Sequence, residues 1–437
     1  MTKSIWQSQI QLPEFPELRG EIHTDVLVIG GGMAGLLTAY CLKQKGIDSV
    51  VVEKDRVCSG TTAGTTAKIT AQHGFCYQKI LNTYSETYAS MYYTANSLAV
   101  KQLKDLCRQA DCAAESKTNF VYSQDPRKVE AELRALQRFG ADPLYQDRLP
   151  VPVENIEAVG LKNQGQFNPL GLVQFLIRPL TIYENTKVTQ LIGTTAVTPS
   201  GKINAKKVII ATHFPFLNKH GSYFLKLYQH RSYLLALENA PMLNAMYVDE
   251  KKMGFSFSRF GDYLLLGGGG HRTGKKGGSY GALRAFAQQH YPNAREVWHW
   301  AAQDTMSLDG IPYIGNYSRN TPDLYVAAGF NKWGMTSSMV SADLLSTMIA
   351  GETPEYAPVF SPSRSILRPQ LAVNIFETAT NFFYPTTRRC PHLGCALKYN
   401  KEERSWDCSC HGSRFSETGT VLNNPANDDL NKQNGRQ

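Results

Sequence analysis

The apolar positions of the chain change period several times, and those changes outline its architecture. Residues 25–29 (DVLVI) form a continuous apolar run of strand length, as a strand buried on both faces requires. Glycines crowd positions 30–35, an apolar helical pattern follows over 36–45, and Gly46 marks its end. A second apolar run, 49–53 (SVVVE), completes a strand–helix–strand unit whose strands must be parallel. From 77 to 139 the pattern turns helical and rich in tyrosine, with a short strand candidate at 120–122, which predicts an inserted helical layer. Asn168 and Pro169 suit the N-cap and first position of another helix.

Further buried strands are expected at 206–212 (KKVIIAT) and 324–328 (LYVAA), the latter followed by a helix from Gly334 to about Ala350. Between them, 230–238 and 263–267 read as strands of a second, antiparallel sheet. The chain thus returns to its first domain near the end. Residues 352–362, with Pro354, Pro358 and Pro362, read as a linker.

A chain of 437 residues exceeds what one hydrophobic core supports, so two or three units are expected. No apolar run reaches the length of a membrane-spanning helix, and the polar lead MTKSIWQSQIQLPEFPELRGE lacks both a signal-peptide core and a twin-arginine signal, which predicts a cytoplasmic protein. The net charge of +9 is spread along the chain without runs of five or six cations, which argues against nucleic acid. An acidic electron-carrier protein or an anionic substrate suits the charge equally well.

Five cysteines, Cys41, Cys58, Cys76, Cys107 and Cys112, are scattered and read as reduced thiols; the other four fall between 390 and 410, a density that points to metal binding. Gly30, Gly32 and Gly35 form G-x-G-x-x-G directly after a strand, and Glu53 ends the next strand 23 residues past the first glycine. Such glycines let the backbone approach a pyrophosphate at a helix N-terminus, and the acid accepts from ribose hydroxyls. The only other glycine cluster, Gly267 to Gly270, is not followed by a helix, which argues against a second nucleotide-binding domain.

Residues 22–352 resemble the D-amino-acid oxidase and glycine oxidase family, whose members bind FAD. The resemblance rests on DVLVIGGGMAGLLTAYCLKQKG, GTTAGTTAKITAQHG, KKVIIAT, and LDGIPYIG followed by LYVAAGFNKWGMTSS, in that order. It implies FAD contacts from Thr65 and Thr66, from the backbone of Val188, and from the helix start at Gly334, Met335 and Thr336. The substrate side is less readable: Tyr228, His230, Arg231, His271 and Arg272 lie on the antiparallel sheet and His73 on the flavin loop, and each alone also fits a structural role. An arginine clamping a substrate carboxylate is the attractive alternative.

The tail CPHLGCALKYNKEERSWDCSCHGSRF resembles the Rieske proteins of respiratory and photosynthetic cytochrome complexes. Cys390-x-His392, fifteen residues, then Cys408-x-x-His411 matches their ligand spacing, in which two thiolates hold one iron and two imidazoles the other. A zinc site from these four residues would leave Cys395, Cys410 and Gly412-Ser413 unexplained. The resemblance implies a disulfide between Cys395 and Cys410, a hydrogen bond from Ser413 to a bridging sulfide, and a covering loop at Asn424-Pro425-Ala426. Two departures stand out: the segment before Cys390 is short and helical in pattern, and Phe415 replaces the tyrosine of high-potential members. The module is thus abbreviated, and its cluster is expected to be exposed or to lean on the flavin domain.

The expected fold is α/β: a Rossmann-like FAD-binding domain (about 20–76, 160–215 and 303–352) with a helical and antiparallel-sheet substrate part (about 77–159 and 216–302), together 1–352, then a linker at 353–380 and a small Rieske β domain at 381–437. The expected activity is oxidation of a small amine, amino acid or related molecule at FAD, with electrons relayed singly through the 2Fe-2S cluster to an external acceptor. The alternatives are a reductase running the opposite way and a non-enzymatic redox sensor or adaptor. A ring-hydroxylating oxygenase is disfavoured, since no mononuclear iron domain follows the cluster.

Overall fold

The computed structural model describes residues 3–217 and 220–430; the outermost parts of the expected modules, at 1–2 and 431–437, lie outside the described residues. The first sheet runs in the order Tyr313–Asn316, Leu324–Ala328, Gly201–Ile210, Gly20–Ile29, Ser49–Val52 and Thr181–Tyr183. Its four central and C-terminal pairings from Leu324–Ala328 to Thr181–Tyr183 are parallel. The apolar runs read from the sequence are the strands at its centre, and helices Met33–Gln44 and Gly334–Ile349 pack on each other beside it. Gly46 takes φ +71, while the Ile47 amide reaches back to Leu42 O and the Gly46 amide to Lys43 O, which closes the first helix.

The second sheet runs in the order Arg295–Ser307, Leu227–Glu238, Tyr263–Arg272, Ser256–Phe260, Met246–Asp249, Glu115–Ser123, Glu157–Gln166 and Lys68–Ile69. Gly267 to Gly270 sit inside one of its strands. The inserted layer is therefore mixed. Helices Tyr77–Thr83, Glu86–Ala110 and Pro126–Arg138 fulfil the helical pattern, but Glu115–Ser123 and Glu157–Gln166 belong to this sheet. Glu86–Ala110 buries Ala89, Tyr92, Ala95, Asn96, Ala99, Val100, Leu103 and Cys107, one stripe at helical spacing. Asn168 caps its helix by accepting from the amides of Leu170 and Gly171. The polar lead holds a short helix, Ile5–Gln9, whose fully buried Trp6 donates to Thr65 O (2.8 Å).

The stretch expected as a linker carries two helices, Ala357–Phe360 and Pro369–Phe382. After it, Leu397–Asn400, Ser405–Cys408, Arg414–Ser416 and Val421–Asn423 form a four-stranded antiparallel meander. The buried apolar cluster of this module is small: Cys390, Cys395, Leu397, Cys408, Cys410, Phe415 and Ala426. A unit of this size rarely holds itself together by burial alone, and this one is fastened in other ways. Glu403 accepts from Arg231 of the second sheet through both carboxylate oxygens, from Arg414 (2.9 Å) and from Tyr233 Oη (3.0 Å). Arg414 also reaches Asp407 (3.0 Å) and Ser405 (2.8 Å). Two buried guanidinium groups thus balance the buried Asp407 and the largely buried Glu403, and the Arg231–Glu403 pair crosses the junction.

Burial raises the pKa of Glu403, but Arg231 and Arg414 overcome this and hold it down to about 2. With the folded pKa below the ordinary value, the stabilisation is present above about pH 4.5 and is lost as the pH falls towards 2. Glu403→Gln leaves Arg231 buried without its counter-charge and is expected to destabilise the attachment of the module by about 3 kcal/mol. Urea unfolding followed at cluster wavelengths should show a lowered midpoint; an unchanged one would mean that the ion network does not hold the module.

Candidate functional site

A cavity of about 760 Å³, within the range of cofactor and ligand pockets, opens where the parallel strands end. Gly30 and Gly32 line it at the turn, and Gly35 lies behind them, where a Cβ would collide with the Gly30 carbonyl. Glu53 accepts from the Gly31 amide (2.8 Å) and from the Asp55 amide (3.0 Å), so the acid is fixed against the glycine turn and faces the cavity. Burial raises its pKa, and the two amides counter this. Thr65, Thr66, Val188, Gly334 and Met335 also line the cavity. Thr336 stands behind the wall: its hydroxyl accepts from the Thr70 amide (3.1 Å) and donates to Thr70 O (2.9 Å), tying the flavin loop to the helix start. A glycine turn, a fixed acid and a helix N-terminus on one elongated cavity fit a dinucleotide whose ring meets that helix.

The polar residues of the antiparallel sheet have other duties. Arg231 is engaged by Glu403. Arg272 donates to Ser409 O (3.1 Å), Cys410 O (3.1 Å) and Asn374 Oδ1 (2.9 Å), and its guanidinium lies 4.9 Å from the centroid of the Tyr228 ring. Neither arginine lines the cavity, so the expectation of a substrate clamp at either is replaced by a clamp on the iron–sulfur module. His271 bonds Tyr233 Oη (3.0 Å) and Arg272 O (2.9 Å). His230 is buried with Nδ1 unbonded; burial and then the charges of Lys332, Lys252 and Arg272 drive its pKa well down. His73 does line the cavity, but both ring nitrogens are used: Nε2 faces Thr70 O (2.9 Å), so it carries the hydrogen, and Nδ1 accepts from Tyr92 Oη (2.7 Å). Burial pushes its pKa down to about 3, so it stays neutral and stacks on Trp333 at 5.1 Å.

The side chains that do face the cavity opposite the glycine turn include Lys79, Lys252, Lys332 and Asp304. Lys332 donates to Lys252 O (2.8 Å) and Lys252 to Tyr228 Oη (3.1 Å). Burial lowers the pKa of Lys332, Asp304 opposes this and Lys252 adds to it. Sequence reasoning missed Lys332 although it sits in GFNKWGMTSS, two residues before Gly334. Its position at the mouth of a strand-to-helix turn was the available signal.

In the C-terminal module, Cys390 and Cys408 approach each other closely enough for one thiol to donate to the other. That contact, with the amides of His411, Cys410 and Gly412, holds the Cys408 thiol below its ordinary value against burial. The His392 and His411 rings meet edge to face at 4.9 Å, and burial lowers their pKa values to about 4 and about 3, which keeps both imidazoles neutral. His411 Nδ1 is buried without a hydrogen-bond partner. Two adjacent sulfurs ringed by amides, two neutral imidazoles and an orphaned ring nitrogen fit a Rieske cluster. Cys395 and Cys410 are joined as a disulfide, tying the two ligand loops together. Ser413 Oγ accepts from the Ala426 amide (3.0 Å), which pins the Asn424-Pro425-Ala426 loop, and Phe415 is fully buried beside the cysteines.

Cluster and cavity share a wall. Asn424 and Ala426 line the cavity together with Thr212 and His213. Asn424 Nδ2 donates to Thr212 O and Phe214 O (2.7 Å each), and the Phe214 ring lies 6.4 Å from that of His392. On the other side Gln303, between cavity residues Ala302 and Asp304, donates to Gly412 O (2.8 Å). The imidazole pair thus faces the N-terminal body, with Phe224 against His411 as Phe214 is against His392.

Comparisons with known proteins agree with this geometry. Residues 25–348 match the family model of FAD dependent oxidoreductases, and 362–434 match that of the Rieske [2Fe-2S] domain. A Bacillus subtilis protein named "Putative Rieske 2Fe-2S iron-sulfur protein YhfW" is 32% identical over 488 aligned residues, covering 97% of this chain and 96% of that one. The cytochrome b6-f complex iron-sulfur subunit of Nostoc punctiforme is 49% identical over 37 residues, covering 8% of this chain and 21% of its own. Among solved structures, glycine oxidase from Geobacillus kaustophilus superposes with a TM-score of 0.66 at 19% identity, covering 79% of this chain and 99% of its own. L-proline dehydrogenase from P. horikoshii does so with a TM-score of 0.66 at 17% identity, covering 80% and 98%. The cavity built on the glycine turn and the paired Cys–His loops therefore have one joint explanation: the chain belongs to the FAD dependent oxidoreductase family and carries a Rieske [2Fe-2S] domain fused behind it.

Proposed function

We propose that this oxidoreductase acts in the cytoplasm on a small amine, amino acid or related molecule bearing a negative charge, and that the electrons leave one at a time through the iron–sulfur module to an external acceptor. The observation that carries this reading is the shared wall between cavity and cluster, formed by Thr212 to Phe214 and the Asn424–Ala426 loop. Bound FAD supplies a two-electron oxidant and the 2Fe-2S cluster a one-electron carrier.

The chain's own residues set the conditions. Lys332, steered by its bond to Lys252 O, offers a half-buried ammonium to a substrate anion, with Lys252 and Lys79 adding to the positive field. His73 is locked as a neutral ring and walls the cavity rather than moving a proton. The helix starting at Gly334 directs its N-terminus into the cavity, where it stabilises negative charge. With Arg231 and Arg272 committed to the module, anion recognition falls to the lysines.

Purified protein should contain FAD and about two irons and two acid-labile sulfides per chain. Zinc in place of iron would contradict the cluster. Anaerobic mixing with a panel of amines and amino acids should bleach the flavin and produce the reduced-cluster resonance with at least one of them; silence across the panel would favour a non-enzymatic role. With a substrate in hand, Lys332→Met should raise KM about tenfold with a smaller effect on kcat, a change an unaltered KM would refute. Phe415→Tyr adds a donor beside the cysteines. If that bond favours the reduced cluster by about 1 to 2 kcal/mol, the potential should rise by about 40 to 90 mV in a redox titration, and an unmoved potential would place the ring out of reach of Cys390.

A further inference from the structure

The helix Pro369–Phe382 is amphipathic in the inverted sense. Its only buried residues are Asn374 and Asn381, 4% and 3% exposed. Together with Gln370 and Glu377 they form one polar stripe at helical spacing, and that stripe faces the protein. Asn374 accepts from Arg272 (2.9 Å), Glu377 pairs with Lys275 (2.7 Å), and Asn381 O accepts the Ala396 amide (2.9 Å) on the first ligand loop. The apolar face points outward: Phe376 is 67% exposed, with Val373, Ile375 and Phe382 about half exposed. Leu367 (80%) and Phe383 (79%) continue it at either end, beside Tyr384. Of the fourteen large apolar side chains exposed among the described residues, these seven fall between 367 and 384. A contiguous apolar face of this kind marks an interaction surface.

Its surroundings indicate the occupant. Between 365 and 401 the cations are Arg368, Arg388, Arg389, Lys398 and Lys401, while the one carboxylate, Glu377, is turned inward and neutralised by Lys275. Arg389 is held by the carbonyls of Phe382 and Tyr384, and Lys398 lies 5.8 Å from the Tyr384 ring, so these cations border the apolar face. The face is a single outward helix flanked by phenylalanine and tyrosine rather than a groove that would receive a protein segment. Residues 431–437 (NKQNGRQ) contain no apolar side chain to cover it. A second copy meeting the same face would bring like charges together. Aromatic and aliphatic side chains on one helix face with a cationic border suit the headgroup layer of a membrane.

We propose that the helix Pro369–Phe382, with Leu367, Phe383 and Tyr384, docks the protein peripherally on an anionic lipid surface. The proposal does not depend on the reaction assigned above, because its readout is lipid binding. The full-length holoprotein should co-sediment with phosphatidylcholine vesicles containing phosphatidylglycerol, and much less with pure phosphatidylcholine. The double variant Phe376→Glu/Phe383→Glu should lower the partition coefficient at least about tenfold while flavin and cluster spectra stay those of the wild type. Lys398→Gln should lower it about fivefold on anionic vesicles only. No binding by the wild type would overturn the proposal. So would salt-sensitive binding that the glutamates leave untouched, which would indicate charge alone, as an acidic carrier protein would use. A wild-type dimer that the double variant makes monomeric, without vesicle binding, would assign the face to a second copy.

Discussion

A small iron–sulfur module with seven buried apolar side chains in its core cannot be positioned by its own packing, and the Arg231–Glu403–Arg414–Asp407 network is what fixes it. Arg231, Arg414 and Asp407 are buried, Glu403 is nearly so, and each charge is opposed, so the arrangement tolerates little displacement: sliding the module would separate ions in a poorly hydrated setting. Arg272 reinforces it by reaching the carbonyls of the disulfide-bonded Cys410 and of Ser409 just before it. The two arginines thereby set the distance between the ligand loops and the sheet beneath them.

From that attachment the rest of the site follows. Because the module is held at the second sheet, its Asn424–Ala426 loop closes part of the cavity, and its histidines turn towards Phe214 and Phe224 instead of outward. The same attachment engages Arg231 and Arg272 away from the cavity, whose wall carries Lys79, Lys252 and Lys332 instead. The helix Pro369–Phe382 fills the opposite flank with its polar stripe, which leaves its apolar face without a partner in the chain.

What was legible in the sequence was local. The glycine turn, Glu53 and the strands around them depend on contacts within one strand–helix–strand unit, and the Cys–His pairs depend on spacing within two loops. The roles of Arg231 and Arg272 were not legible, because their partners lie 172 and about 138 residues further along the chain and no periodicity links them. The segment before Cys390 read as helical in pattern, but residues 369–380 were placed in the linker because proline-rich sequence precedes them, and an apolar face without a core to join does not announce its outward direction in one dimension. Trp6 was overlooked for a similar reason: five helical residues in a polar lead give too short a pattern to show that one indole is buried against Thr65.

The proposed electron exchange is internal to one chain, across the wall that the Thr212–Phe214 segment and the Asn424–Ala426 loop form between the cavity and the paired Cys–His loops. The most direct measurement is flash reduction of the flavin in the purified holoprotein, with cluster absorbance followed over a wide range of protein concentrations. Cluster reduction is expected to be first order with a rate independent of concentration. A rate that rises in proportion to concentration, or a cluster that remains oxidised, would contradict it.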